Sequence, residues 1–297
     1  YKYIDEPDYV FTNIMEHGQT LNHLSSKILL QTNKLFQENT FSNVIVQGDT
    51  TTAYSLALSA FHFQIPVIHL EAGLRTNDKY SPFPEEINRR LISQIASIHL
   101  CPTQKSIEKL YNENIRENVF LTGNTIVDMY DYIQKNTNPD SSVKNLIKEH
   151  DKYYVVTLHR RENRGEKMKK IWEQLNKLSN KYKFIYISHP SLPESKEILN
   201  KSIIVLEPQN YENHLVLNSS GIITDSGGLQ EEAVCAMKKV LVCRDTTERP
   251  ETIDCGIGKL IDTNIMDNIT FFDKDFVDII NNPYGNNVCE KVLKYII

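Results

Sequence analysis

Gly221-Ile222-Ile223-Thr224-Asp225-Ser226-Gly227-Gly228-Leu229-Gln230-Glu231-Glu232-Ala233 reads as a strand, a bare turn and the start of a helix. An apolar run without alternation suits a strand covered on both faces, as in a parallel sheet. Ser226-Gly227-Gly228 then leaves backbone N–H groups uncovered at a helix N-terminus, where the dipole is positive, so the turn is an anion site by construction. Gly-Gly would also serve a plain turn, but strand, turn and helix in this order belong to α/β units whose ligands sit at the carboxyl ends of the strands.

The same pattern repeats outward. Apolar runs at 153–158, 184–188, 203–206 and 240–243 are separated by helical patterns at about 166–181, 193–200, 211–219 and 228–237. An earlier series has strands at 43–46, 66–70, 96–101 and 118–121, with helices at about 18–38, 51–62, 84–95, 103–113 and 125–135. Between the two series, 135–150 is polar around Asn138-Pro139-Asp140-Ser141-Ser142, which suits a linker. The reading is α/β, with two Rossmann-like doubly wound domains facing across a cleft, 1–145 and 146–297, and a helical tail after Ile261.

Composition agrees with this. The 297 residues are 40% hydrophobic and 24% charged, enough for about two domains with their own cores. A net charge of −5 with scattered Lys and Arg argues against nucleic acid as a partner. Five cysteines lack metal or disulfide spacing and fit a reducing compartment. No apolar run approaches the roughly 20 residues of a membrane span, and Tyr1–Pro7 is not a signal peptide. The expectation is a soluble, cytoplasmic protein with no membrane association.

Chemistry-bearing residues gather at the strand ends. In Gln47-Gly48-Asp49-Thr50-Thr51-Thr52, Asp49 serves either as a helix cap or as an acid. Glu71 ends a buried strand, where it either pairs with Arg75 or acts as acid or base. Pro84-Glu85-Glu86 is favoured at a helix start, so one of the two glutamates is expected to have only that role. Three carboxylates from separate loops on one sheet edge suit proton transfer on both faces of a carbon. The second half is complementary: His159-Arg160-Arg161 at a strand end suits a phosphate, and Glu232 is placed either for ribose hydroxyls or for the helix dipole. The paired charges of 244–251 close the same edge. The combination points to a nucleotide-linked substrate.

These strings closely resemble the non-hydrolysing UDP-N-acetylglucosamine 2-epimerases. Matching stretches are Gly48–Thr52, Glu71-Ala72-Gly73-Leu74-Arg75-Thr76, Tyr80–Glu86 with Asn88-Arg89, Thr122-Gly123-Asn124-Thr125, His159-Arg160-Arg161-Glu162, Thr224–Glu232, Arg244–Glu251 and Asn282-Pro283-Tyr284-Gly285. The resemblance implies a glycosyltransferase-B arrangement, a homodimer, a UDP-sugar substrate, and no cofactor or metal. It implies reversible conversion of UDP-GlcNAc to UDP-ManNAc by anti elimination of UDP through 2-acetamidoglucal and re-addition. On the matching positions Asp49, Glu71, Glu85 and His159 are expected to be catalytic. Arg160, Ser226, Gly227, Gly228, Glu232 and Arg249 are expected to bind UDP. Gln47 stands where members often have His. The family's opening Gly-Thr-Arg-Pro-Glu turn is absent, so the N-terminal domain is expected to lack its first βα units and to expose strand edges. The alternatives are a nucleotide-sugar glycosyltransferase of the same fold and a non-catalytic nucleotide-sugar-binding protein.

Overall fold

A computed structural model of the chain describes residues 6–210, 213, 215–275 and 282–296. The backbone forms two compact units, one running to Thr122 and one from Gly123 to Tyr295.

In the first unit α1 (Leu21–Glu38) starts where Thr20 accepts the His23 N–H at 3.1 Å. It is followed by β1 (Val44–Gln47), α2 (Thr51–His62), β2 (Val67–Leu70), α3 (Glu85–Ile95), β3 (Ile98–Cys101), α4 (Gln104–Asn112) and β4 (Val119–Leu121). The four strands are parallel in the order β1-β2-β3-β4. Phe36, Ala53, Ala57, Ala60 and Ile92 from the helices bury Val44, Val46 and Val67 of the sheet. Short βα turns therefore deliver 47–50 and 71–76 to neighbouring strand ends.

Two histidines lie side by side inside this sheet, His69 in register with His99. His69 Nε2 meets the Gly48 carbonyl at 2.9 Å, and neither ring's Nδ1 has a partner among the described residues. Burial pushes His69 down to about 3 and His99 to about 4. Protonating either would place an unmatched N–H and a charge in the core. Because the folded pKa values lie below the unfolded 6.5, this stability is complete above pH 6.5 and is lost as pH falls towards 4. Acid titration followed by circular dichroism is expected to show unfolding beginning below pH 6. His99→Gln should move its onset to lower pH; an unchanged onset would clear the pair of responsibility.

The second unit contains α5 (Ile126–Asn136), α6 (Ser141–Glu149), β5 (Tyr154–Thr157), α7 (Glu166–Leu178), β6 (Phe184–Ile187), α8 (Ser195–Ile198) and β7 (Ile204–Leu206). Then come α9 (Leu215–Asn218), β8 (Gly221–Thr224), α10 (Gly227–Cys235), β9 (Val240–Val242), α11 (Pro250–Asp254), β10 (Gly258–Leu260) and α12 (Val288–Leu293). Its sheet runs β7-β6-β5-β8-β9-β10, all parallel. From β5 the chain winds outward to β7, then returns beside β5 and winds the other way from β8. The reversal lies between β5 and β8, where a doubly wound sheet opens a crevice for ligands.

Three sequence expectations shift. Packing changes over at Thr122/Gly123 rather than near 145, because α5 packs on α10 of the second unit. The polar stretch read as a linker holds α6, whose Val143, Leu146 and Ile147 pack with Tyr153, Val155 and Leu215. The tail carries a short 3-10 turn (Ile269–Asp273) and α12 rather than continuous helix; 276–281 lie outside the described residues. Trp172 sits in the core of this unit with its indole N–H 3.3 Å from the Tyr186 hydroxyl. Among the described residues no helix is long and apolar enough to cross a membrane.

Candidate functional site

In the first unit the turn after β1 is held from α3. Thr50, not Asp49, caps α2, accepting the Ala53 N–H at 3.1 Å. That leaves the Asp49 carboxylate for Arg89, whose Nε donates to Oδ2 at 3.0 Å and whose Nη2 donates to the same oxygen. Asn88 Nδ2 donates to the Asp49 carbonyl at 2.8 Å.

Glu86 is fully buried and is the glutamate with the structural role. It accepts from Arg89 Nη1 at 2.8 Å, Arg90 Nε at 3.1 Å and the Thr76 N–H at 3.0 Å. Burial alone would raise its pKa, but the Thr76 N–H and the guanidinium groups hold it below the ordinary carboxylate range. Glu85, the first residue of α3, is half-buried. The helix thus turns one carboxylate inward and presents its neighbour.

Glu71 takes φ 64°, a left-handed conformation that costs a residue with a Cβ about 1–3 kcal/mol. Its Oε2 lies 3.7 Å from where a Cβ on Gly48 would stand, so the carboxylate sits over the turn that carries Asp49. Arg75 is occupied elsewhere: it forms a bidentate pair with Glu113 at 2.9 and 2.8 Å and donates to Ser93 Oγ at 3.0 Å. A Cβ on Gly73, at φ 86°, would stand 2.3 Å from the Ser106 carbonyl oxygen of α4, so glycine lets the two backbones approach. Asp49 and Glu71 are therefore brought to adjacent strand ends, with Glu85 on the helix that anchors Asp49.

In the second unit the loops after β5 and β8 meet at the reversal point. Asp225, fully buried, accepts the His159 N–H at 3.0 Å, the Arg160 N–H at 3.0 Å and Asn163 Nδ2 at 2.9 Å. Its Oδ1 is 3.4 Å from His159 Nδ1. His159 stacks on His189 with ring centroids 5.4 Å apart. Burial pulls the His159 pKa below the ordinary value, while Asp225 works in the other direction.

A cavity of about 510 Å³ opens here, within the usual range for small-molecule sites. Its polar lining includes Thr157, His159, Ser188, His189, Ser226 and Glu232, and Gly228 presents bare backbone with nothing within 4 Å of where a Cβ would stand. Apolar lining comes from Tyr130 and Ile133 of α5, and from Ile187, Pro208, Leu215 and Val216. Polar groups at a helix N-terminus beside apolar walls suit an anionic group attached to a flat, less polar one.

Of the residues expected to bind UDP, Ser226, Gly228 and Glu232 line this cavity. Arg249 lies elsewhere. Its guanidinium packs under the turn, 2.4 Å from where a Gly227 Cβ would stand, and it pairs with Glu248 and, at 2.8 Å, with Glu231. Gly227 is therefore glycine because a buried cation supports the turn from behind. Arg160 leans the same way, Nη2 being 3.9 Å from Glu248. Sequence reasoning passed over His189, Thr157 and Tyr130. His189-Pro190 at the end of β6 is a third polar strand end, and that position was its available signal.

Comparison with known proteins follows the same line. A family model described as UDP-N-acetylglucosamine 2-epimerase matches residues 3–296. The chain is 37% identical to the UDP-N-acetylglucosamine 2-epimerase of Salmonella borreze, over 98% of this chain and 84% of that one. It is similar to a crystal structure of UDP-GlcNAc 2-epimerase from Neisseria meningitidis bound to UDP-GlcNAc, with TM-score 0.87 and 34% identity, over 96% of this chain and 84% of the other. A Methanocaldococcus jannaschii UDP-GlcNAc 2-epimerase in complex with UDP-GlcNAc and UDP gives TM-score 0.88 at 32% identity, covering 99% and 85%.

Proposed function

Because the chain belongs to the UDP-N-acetylglucosamine 2-epimerase family, we propose that it interconverts UDP-GlcNAc and UDP-ManNAc, and that the work divides between its two units as follows. The cavity of the second unit takes UDP, with the pyrophosphate at the Ser226–Gly228 turn and beside His159, and the ribose towards Glu232. The observation that carries this reading is the placement of an anion-binding helix N-terminus and an Asp-held histidine on one cavity at the reversal point of the sheet.

The first unit supplies the proton transfers through Asp49, Glu71 and Glu85. One carboxylate takes the C2 proton while the C1–O bond breaks, its electron pair leaving with UDP to give 2-acetamidoglucal. UDP then re-forms the C1–O bond as a carboxylic acid returns a proton to the other face of C2. Oxidation states are unchanged from start to finish, so the sequence calls for no redox cofactor. Arg89 fixes Asp49 by two N–H donors, and the left-handed backbone at Glu71 fixes the direction of its carboxylate; positioning of this kind is what general acid–base catalysis requires. Stabilising the departing pyrophosphate falls to the helix N-terminus and His159. A homodimer and a cytoplasmic location belong to the same reading.

Incubation with UDP-GlcNAc in deuterated water is expected to give UDP-ManNAc carrying deuterium at C2, read by NMR and mass spectrometry. Transfer of the sugar to an acceptor would instead establish a glycosyltransferase. Binding of UDP-GlcNAc without label in either sugar would establish a non-catalytic binding protein.

A further inference from the structure

His159 reaches the cavity from a loop that Asp225 assembles. The Asp225 carboxylate is wholly buried, and among the described residues its polar partners are donors: the N–H groups of His159 and Arg160, the Asn163 side-chain amide and, at 3.4 Å, His159 Nδ1. Asn163 is itself tied to the Cys243 carbonyl at 2.9 Å, so the loop after β5 is pinned to the ends of both β8 and β9. Of these donors, only the imidazole can gain a positive charge. The Arg160 guanidinium, on the same loop, is directed to Glu248.

A carboxylate against Nδ1 keeps the proton on that nitrogen and leaves Nε2 as the atom for an incoming group. At 3.4 Å the two atoms stand slightly beyond ordinary hydrogen-bond distance, close enough for the carboxylate to act on the ring by charge. Behind His159, which lines a cavity that we read as a pyrophosphate site, stands the buried Asp225 carboxylate. An arriving polyanion favours a charged imidazole, and the buried carboxylate behind the ring stabilises that charge.

We infer that Asp225 is a positioning residue that lets His159 take up a proton when UDP binds, so that the imidazolium, pinned between Asp225 and the pyrophosphate, holds the leaving group in the reaction. The proton comes from solvent and adds to Nε2, and no bond of the nucleotide breaks in the binding step. This rests on the reading of the cavity as the UDP site. The groups facing His159 are Asp225 after β8, Arg160 and Glu162 on its own loop, and His189 after β6. Arg160 and His189 oppose the added charge; Asp225 and Glu162 favour it. His189 is the other histidine among them, and it engages Ser191 Oγ through Nδ1 at 2.7 Å.

Isothermal titration of UDP into the full chain, in buffers of different ionisation enthalpy between pH 6.5 and 8, is expected to show uptake of close to one proton per UDP. Affinity is expected to weaken about tenfold per pH unit above the free-imidazole pKa. Asp225→Asn should abolish the uptake and flatten the pH dependence. Because that substitution disturbs three backbone and amide donors, His159→Asn is the second variant; it keeps Asp225 and should also bind UDP without proton uptake. His189→Gln should retain the uptake. If the wild-type enthalpy is independent of buffer, or the uptake survives in His159→Asn and vanishes in His189→Gln, the inference is overturned while the UDP site stands. If UDP does not bind, the reading of the cavity fails and the inference with it.

Discussion

Glu71→Gln is expected to bind UDP as the unaltered protein does, yet to lose C2 hydrogen exchange by about 10³-fold, the middle of the range for a positioned acid or base. Glutamine keeps the size and most of the hydrogen bonding of the side chain but neither accepts nor returns a proton. The backbone supports the assignment: a glutamate at φ 64° is held in a conformation it does not choose, directly over the turn bearing Asp49. Arg75, the cation that follows on the same turn, is paired with Glu113. Because UDP is assigned to the other unit, binding and exchange should separate cleanly, with titration reporting the first and deuterium incorporation the second. Exchange within about threefold of wild type would remove Glu71 from proton transfer.

The second large effect is on stability. Arg89 is 2% exposed and links Asp49 to Glu86, itself fully buried. Arg89→Met fills the same space but leaves the Glu86 carboxylate with one guanidinium fewer in the core. Removing one partner of a buried pair costs about 3–5 kcal/mol, which in a unit of this size lowers Tm by about 10–20 °C. Adding Glu86→Gln to Arg89→Met should recover part of the loss, since the uncompensated charge is then gone. Calorimetry on the three proteins decides the matter. A single variant melting within about 3 °C of wild type would show that Arg90 and the Thr76 and Asn77 N–H groups suffice for Glu86.

Much of the fold was legible because its strands are short, apolar and punctuated by glycine or polar turns. The 221–233 stretch alone implied a parallel sheet and a bare helix N-terminus, and both are present. Where polar residues outvote a few apolar ones, the sequence misled: Asn138-Pro139-Asp140-Ser141-Ser142 masks a helix whose Val143, Leu146 and Ile147 are spaced for one face. The β10 strand, Gly258-Lys259-Leu260, has an exposed lysine at its centre and so lacks the apolar run that marked equally short strands such as β9. At the site, residue types pointed to carboxylates on one half and anion binding on the other. The partition within each cluster was not legible, because it depends on which side chains tertiary packing turns inward. Glu86 rather than Glu85 meets Arg89, and Arg249 supports the Gly227 turn from beneath. Asp225 passed as a motif residue although it organises the whole β5 loop.

Trp172, the chain's only tryptophan, lies buried in the second unit against Tyr186, and the first unit has none. Intrinsic fluorescence therefore watches one half of the molecule alone. Loss of the first unit, by acid through His69 and His99 or by Arg89→Met, would drain ellipticity while leaving the emission maximum at its buried, blue-shifted position. Collapse of the second unit would redden it. Two optical signals on one sample thus assign each melting step to its half without cutting the chain.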